Sequence, residues 1–253
     1  MCMPIASCDR KAKKMEEKRG ISAICLAAGR RKRMESRIQK QYLLLDGKPL
    51  LYYSLKALQE SPVSEVILVT GAGEEEYCRE TIVEPYGFTK VKTIVAGGKE
   101  RYHSVYRGLQ ALGECDMVLI QDGARPFLTE EIIRRCIDGV RRYGACVVGM
   151  PVKDTIKIAD DENGISHTPD RSRLWMIQTP QAFLTPMIRK AYSRLNSMEE
   201  EGREPEIPIT DDAMVVEYFL NQKVYLVRGS YENIKITTPE DMAVAEALLK
   251  RIY

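Results

Sequence analysis

Histidine is scarce in this chain: two occur, His103 and His167, among 253 residues. Neither has an acid or a cysteine at a helpful spacing. Neither is assigned a catalytic role, and no Ser-His-Asp or Cys-His arrangement is indicated. The seven cysteines (Cys2, Cys8, Cys25, Cys78, Cys115, Cys136 and Cys146) are scattered and form no CxxC pair, so a zinc site lacks its usual ligand spacing. They read as reduced thiols of a cytoplasmic protein, four or five of them in core elements. No apolar run approaches the roughly 18 residues of a membrane span. Residues 1–19 are basic, with Arg10, Lys11, Lys13, Lys14, Lys18 and Arg19, yet no apolar stretch follows them as a signal peptide requires. They read as a mobile or weakly helical tail. Charge of one sign is missing too. The 38 basic and 36 acidic residues leave +2, no global field for nucleic acid or an anionic membrane, so any electropositive site is local. Internal repeats, a Walker GxxxxGK[ST] and a GxGxxG fingerprint are also absent.

Hydrophobic residues at 44% and charged residues at 29% are those of a globular protein. Short apolar runs at Ile21–Ala27, Glu65–Thr70, Val91–Val95, Asp116–Ile120 and Ala145–Met150 suit strands buried on both faces of a mainly parallel sheet. Helices are expected between them, over 48–60, 74–84, 101–112 and 129–143, giving βαβ units. After Met150 the alternation breaks. Lys153–Ile158 and Ile165–Thr168 flank the turn residues Asp160–Gly164, which predicts a projecting hairpin that leans on something, a second subunit being the economical candidate. Helices at 186–197, 211–220 and 239–252 and strands at 224–227 and 234–236 follow. The expectation is one α/β domain over 20–253, a Rossmann-like mainly parallel sheet flanked by helices, with an arm at about 152–170.

Ligands of open parallel sheets bind outside the carboxyl ends of strands. After the first run come Ala27, Ala28 and Gly29, then five basic side chains between Arg30 and Arg37, with Lys40 beyond. A small-small-Gly turn lets backbone N–H groups approach an anion, so a polyphosphate cradle is one reading. A nucleic-acid patch or a solvated charge run are the others. After the third run Gly97, Gly98 and Ser104 suit a base or ribose pocket, or an ordinary strand-to-helix turn. After the fourth, Asp122 either holds Mg²⁺ beside phosphate oxygens or satisfies turn N–H groups. Lys235 alternates with Ile234 and Ile236 and faces the other way, as a solvated lysine or a phosphate ligand.

In order and spacing, these segments resemble the 2-C-methyl-D-erythritol 4-phosphate cytidylyltransferase family from about Ile21 to the C-terminus. The family's opening turn with its arginine and lysine matches Gly29, Arg33 and Lys40-Gln41-Tyr42. Its Gly-Gly-x-x-Arg…Ser motif falls on Gly97, Gly98, Arg101 and Ser104. Its Asp-x-Ala-Arg-Pro motif falls on Asp122, Ala124, Arg125 and Pro126. Asp170-Arg171, Leu174-Trp175, Thr179-Pro180-Gln181, Thr210-Asp211 and Asn233–Thr237 match the remaining motifs. The chain departs from the family pattern at Arg31, Gln39 and Lys99.

The resemblance implies a nucleotide-diphospho-sugar transferase type of fold. It implies transfer of a cytidylyl group from CTP to methylerythritol phosphate by in-line attack on the α-phosphate, with Mg²⁺ as cofactor. Arg33 and Lys40 are then the catalytic pair, and Arg171 and Lys235 position the acceptor. Ala27, Ala28, Gly29, Gly98, Ser104, Ala124 and Arg125 hold the nucleotide. Asp122 serves substrate and metal, and Thr155, Thr179 and Thr210 line the site. The hairpin around Lys153-Asp154-Thr155 fits the family's dimerisation arm, implying a homodimer whose arm completes the neighbour's site. The rivals are a ribitol-5-phosphate cytidylyltransferase, a nucleotide-binding regulatory module without catalysis, and a nucleic-acid binder using Arg30–Arg33.

Overall fold

The computed structural model describes residues 20–29 and 39–252. The tail at 1–19 and the basic run at 30–38, Arg33 included, lie outside the described residues. Strand β1 (Ile21–Ala27) leads through a small ribbon, β2 (Leu44–Leu45) and β3 (Lys48–Pro49), into helix α1 (Leu50–Glu60). Then come β4 (Glu65–Thr70), the short α2 (Glu75–Cys78), β5 (Val91–Ala96), α3 (Arg101–Ala111), β6 (Met117–Asp122), α4 (Glu130–Tyr143) and β7 (Ala145–Pro151). The hairpin strands are β8 (Ile158–Ala159) and β9 (Ile165–His167). After them run β10 (Trp175–Leu184), α5 (Thr185–Glu200), α6 (Asp212–Leu220), β11 (Tyr225–Arg228) and α7 (Pro239–Ile252).

Seven strands make one sheet in the order β11-β7-β10-β6-β1-β4-β5. All pairings are parallel except those of β10, which runs antiparallel between β6 and β7. The apolar runs of β1, β4, β6 and β7 are largely buried on both faces, as expected of such a sheet, whereas the run of the edge strand β5 is only half-buried. On one face Ala23, Cys25 and Leu119 pack with Leu51, Leu55 and Leu58 of α1 and Ile133 of α4. On the other, Ile24, Val118 and Ile120 pack with Val105 of α3, Ile188 and Tyr192 of α5 and Val216 of α6. A fully buried side chain such as Ile24 or Leu119 contributes about 2 kcal/mol. All five described cysteines are buried. Among the described residues no helix is long and apolar enough to cross a membrane.

Helix α4 begins where Thr129 accepts a hydrogen bond from the Ile132 N–H, has Glu130 and Glu131 in its first turn, and ends at Gly144 with φ 81°. Four expectations change. The helix foreseen over 74–84 is α2 followed by a π-helical turn at Arg79–Val83. The strand foreseen at 234–236 does not form, because Ile236 N–H donates to the Ala124 carbonyl (2.9 Å) in an irregular loop. The hairpin strands foreseen over 153–158 and 165–168 shorten to β8 and β9. The polar stretch 178–181 lies within β10, a ten-residue strand. Its Gln178, Thr179 and Gln181 are buried. They have individual partners, which masks any alternating pattern.

Candidate active site

The strand order turns back at β1, with β4 on one side and β6 on the other, so the carboxyl ends of β1 and β6 diverge into a crevice. There Leu26 stands in register with Asp122. A cleft of about 370 Å³ opens above them. Its walls bring together nine of the expected residues: Ala27, Ala28, Gly29, Lys40, Gly98, Ser104, Asp122, Ala124 and Lys235. Leu26, Gln41, Lys99, Glu100 and Arg101 complete the lining. Among the described residues, four cationic side chains (Lys40, Lys99, Arg101 and Lys235) face two acids (Glu100 and Asp122), so a nearly neutral protein has a locally positive lining here.

Backbone geometry shapes the side of the cleft formed by the β5–α3 turn. A Cβ on Gly97 would overlap the Ala28 methyl and sit 2.7 Å from Ser104 Oγ, and one on Gly98 would overlap His103. Only glycine lets the β5–α3 turn come this close to the end of β1. The Gly98 N–H donates to Ser104 Oγ (3.0 Å), and that hydroxyl donates to the Glu100 carbonyl (3.3 Å), so Ser104 holds the turn. Glu100 caps α3 in a reciprocal pair with His103, and His103 also meets Glu199 (3.2 Å). Lys40 reaches the cleft from a single helical turn at Lys40–Tyr42. Gln41 pins that turn to β1 by donating to the Ala27 carbonyl (2.5 Å). Tyr42 donates to Glu74 (2.8 Å), which also accepts from Gln39.

Asp122 is 7% exposed and ringed by cations. Lys235 Nζ lies 2.7 Å from its Oδ2, Arg101 Nε 3.4 Å from its Oδ1, and Arg125 Nε 3.9 Å from its Oδ2. Burial alone would raise the Asp122 pKa, but Lys235, Arg101 and Arg125 together hold it well below the usual carboxylate range. Lys235 arrives there because its loop is tied down on both sides. Asn233, wholly buried, donates to the Thr179 carbonyl (2.9 Å), and its own carbonyl accepts from Arg125 Nη1 (2.7 Å).

The remaining expected residues lie elsewhere. Arg125 is buried and braces Asn233 rather than lining the cleft. Thr179 is buried beneath Asp122, accepting from the Asp122 N–H (3.1 Å) and donating to Gln121 (3.0 Å). Thr210 is exposed beside Met214. Arg171 is exposed at the root of the arm, donating to the Lys153 carbonyl (2.8 Å), and Thr155 is exposed on the arm.

Among the described residues no group of three or more His, Cys, Asp or Glu side chains forms a metal cage. Among the described residues, Asp122 is the one lining acid not committed to a helix cap. One carboxylate beside a cationic cleft fits a Mg²⁺ ion that draws its other ligands from phosphate oxygens and water. Residues that motif spacing left unassigned include Arg101 and its partner Asp212. Arg101 sits inside the Gly-Gly-x-x-Arg motif; Asp212 gives no signal beyond following the cap Asp211.

The family model described as 2-C-methyl-D-erythritol 4-phosphate cytidylyltransferase matches residues 21–251. A protein of that name from Lachnospira eligens is 51% identical over 231 residues, covering 90% of this chain and 99% of that one. Its namesake from Lachnoclostridium phytofermentans is 49% identical over 230 residues, covering 91% and 96%. The crystal structure of 4-diphosphocytidyl-2C-methyl-D-erythritol synthase from Anaerococcus prevotii superposes with a TM-score of 0.80 at 34% identity, covering 95% of this chain and all of that one. From β1 to α7, then, the chain belongs to the 2-C-methyl-D-erythritol 4-phosphate cytidylyltransferase family.

Proposed function

We propose that this chain transfers a cytidylyl group from CTP to 2-C-methyl-D-erythritol 4-phosphate, giving 4-diphosphocytidyl-2-C-methyl-D-erythritol and pyrophosphate. The observation that carries the proposal is the cleft itself. Segments scattered from Ala27 to Lys235 converge on one cationic crevice at the sheet's switch point, in a chain of this family. A phosphate oxygen of the acceptor attacks the α-phosphorus of CTP, and the bond to the pyrophosphate oxygen breaks on the opposite side. No proton need move at the reacting atoms, so catalysis is positioning and charge neutralisation.

Lys40 and Arg33 take the charge that grows on the departing pyrophosphate. The Ala27–Gly29 turn and Gly98 N–H region seat the nucleotide against the close-packed β5–α3 turn. Lys235 holds the acceptor phosphate, with Ala124 beside it. Asp122 would be the protein carboxylate holding a Mg²⁺ ion, which would supply further neutralisation of the phosphate charge. Arg125 and Thr179 act from behind the wall, fixing the Asn233–Lys235 loop and the Asp122 backbone.

Arg171 and Thr155, both exposed on or beside the arm, act on the acceptor in the site of a second copy. The exposed Ile156, Ile158 and Ile165 support a homodimer, since an isolated hairpin of this size has too little core to stand alone. We place the enzyme in the cytoplasm, as its unpaired thiols suggest.

Pyrophosphate release is the test, with CTP and Mg²⁺, in parallel with methylerythritol phosphate and ribitol 5-phosphate. Release with the first alone is expected. Release only with ribitol phosphate would keep the nucleotide site and overturn the acceptor. CTP binding without release in either arm would point to a regulatory module.

A further inference from the structure

Arg101 is the first residue of α3, and its guanidinium is stretched between two carboxylates. Its Nε faces Asp122 in the cleft at 3.4 Å. Its Nη1 and Nη2 both turn the other way and donate to Asp212, at 3.0 and 2.8 Å. Such a fork fixes the plane of the guanidinium as well as its position. Asp212 sits at the start of α6 and is wholly buried. Its Oδ1 also accepts from the Tyr192 hydroxyl (2.6 Å). Its backbone N–H, with that of Ala213, donates to Gln181 Oε1 at 2.9 and 3.0 Å. Asp211 caps the same helix through the Met214 N–H (2.9 Å), so α6 does not need Asp212 for its start.

A carboxylate sealed in the core is expensive to desolvate, and replacing a buried ion pair by packed apolar groups is often neutral or stabilising. Stability is therefore a weak reason for Asp212. Orientation is a stronger one. With both terminal nitrogens engaged from behind, Arg101 can offer only its Nε edge to the cleft and cannot fold wholly onto Asp122. Asp122 thereby keeps its Oδ2 side for Lys235. We propose that Asp212 is a positioning residue for cytidylyl transfer, locking the Arg101 guanidinium so that it orients Asp122 without neutralising it outright. This rests on the cytidylyl-transfer function proposed above.

Pyrophosphate release and thermal melting, measured on D212N, D212E, R101K and D212N/R101K, test it. Val216→Ala, a core truncation on the same helix, is the control. D212N should lower kcat about 30- to 100-fold while the KM for CTP moves less than about threefold, as misplacement of a preorganised group does. R101K should behave alike, and the double variant should be no slower than R101K to within about twofold, because the two residues act as one unit. Val216→Ala should melt earlier and keep kcat within about twofold of wild type. D212E, which keeps the charge but moves it by one methylene, should fall between D212N and wild type. A folded D212N with wild-type kcat overturns the proposal, as does a double variant whose loss is the product of the singles. Should D212N not fold, D212E decides in its place: a wild-type kcat there overturns it equally. A wild-type chain silent with both acceptors overturns the reaction, and this inference with it.

Discussion

Lys235 Nζ and Asp122 Oδ2 stand 2.7 Å apart on the floor of the cleft, an ion pair joining a late loop to the end of β6. In the function proposed above, an incoming acceptor phosphate competes with Asp122 for that ammonium, and Lys235 then has two partners, Asp122 and the substrate. Lys235→Ala should raise the KM for methylerythritol phosphate about 10- to 100-fold, the usual worth of a charge-assisted contact. The KM for CTP should change far less. Equal changes in both would remove Lys235 from the acceptor side, and initial-rate kinetics with each substrate varied distinguish the two.

Asp122 also ties stability to pH. Its folded pKa is depressed below the ordinary 3.8 by Lys235, Arg101 and Arg125, against the opposing effect of burial. Stabilisation from the ionised form is then fully present above that ordinary value and is lost as pH falls below it toward the depressed one. Asp122→Asn should cost about 1–3 kcal/mol near neutral pH, discounted because Lys235 is partly exposed. The gap between variant and wild type should hold constant from about pH 5 to 8 and narrow below about pH 4. Urea melts across that range measure it; a gap that widens in acid would contradict the sign.

Lys40→Ala should drop kcat by about 100-fold or more, the scale seen when one preorganised donor is removed from developing charge. Its half-buried side chain carries little of the core, so the melting temperature should shift by no more than about 2 °C. Normal turnover would take Lys40 out of the mechanism.

Gly97→Ala adds one methyl where the Ala28 methyl and Ser104 Oγ already stand. The β5–α3 turn must back away from the end of β1. CTP affinity by calorimetry should fall about tenfold or more, with a stability loss of about 1–3 kcal/mol from overpacking. Unchanged affinity would mean that the turn does not shape the nucleotide seat.

Charges on the exposed arm should break the pairing of two copies. In the homodimer proposed above, Ile158→Asp with Ile165→Asp is expected to give a monomer in light scattering and to lower turnover, as it would if Arg171 serves a neighbour's site. A monomeric wild type would overturn the arm's assigned role.

Much of this was legible along the chain. β1 and β4 lie where their apolar runs predicted, and α7 runs over the expected span, because burial on both faces or along one face writes itself into local periodicity. The alternation of Lys235 with Ile234 and Ile236 does not hold as a strand: Ile236 is buried, Ile234 and Lys235 are both half-buried, and Lys235 turns to Asp122 from an irregular loop. β10 escaped notice because its buried Gln178, Thr179 and Gln181 are satisfied by partners far away in sequence. Arg125 and Thr179 sit in the right motifs yet work from behind the wall, since motif spacing says nothing about which way a side chain turns.

Composition and pattern alone thus pointed to an α/β sheet, and the ordered motifs carried the resemblance to the family. Folding decided what distance along the chain conceals. It set three cations around one carboxylate, and it buried Asp212 behind Arg101. Ion pairs and bidentate forks are set by ångström-scale geometry between residues from opposite ends of the sequence, and no local period encodes that.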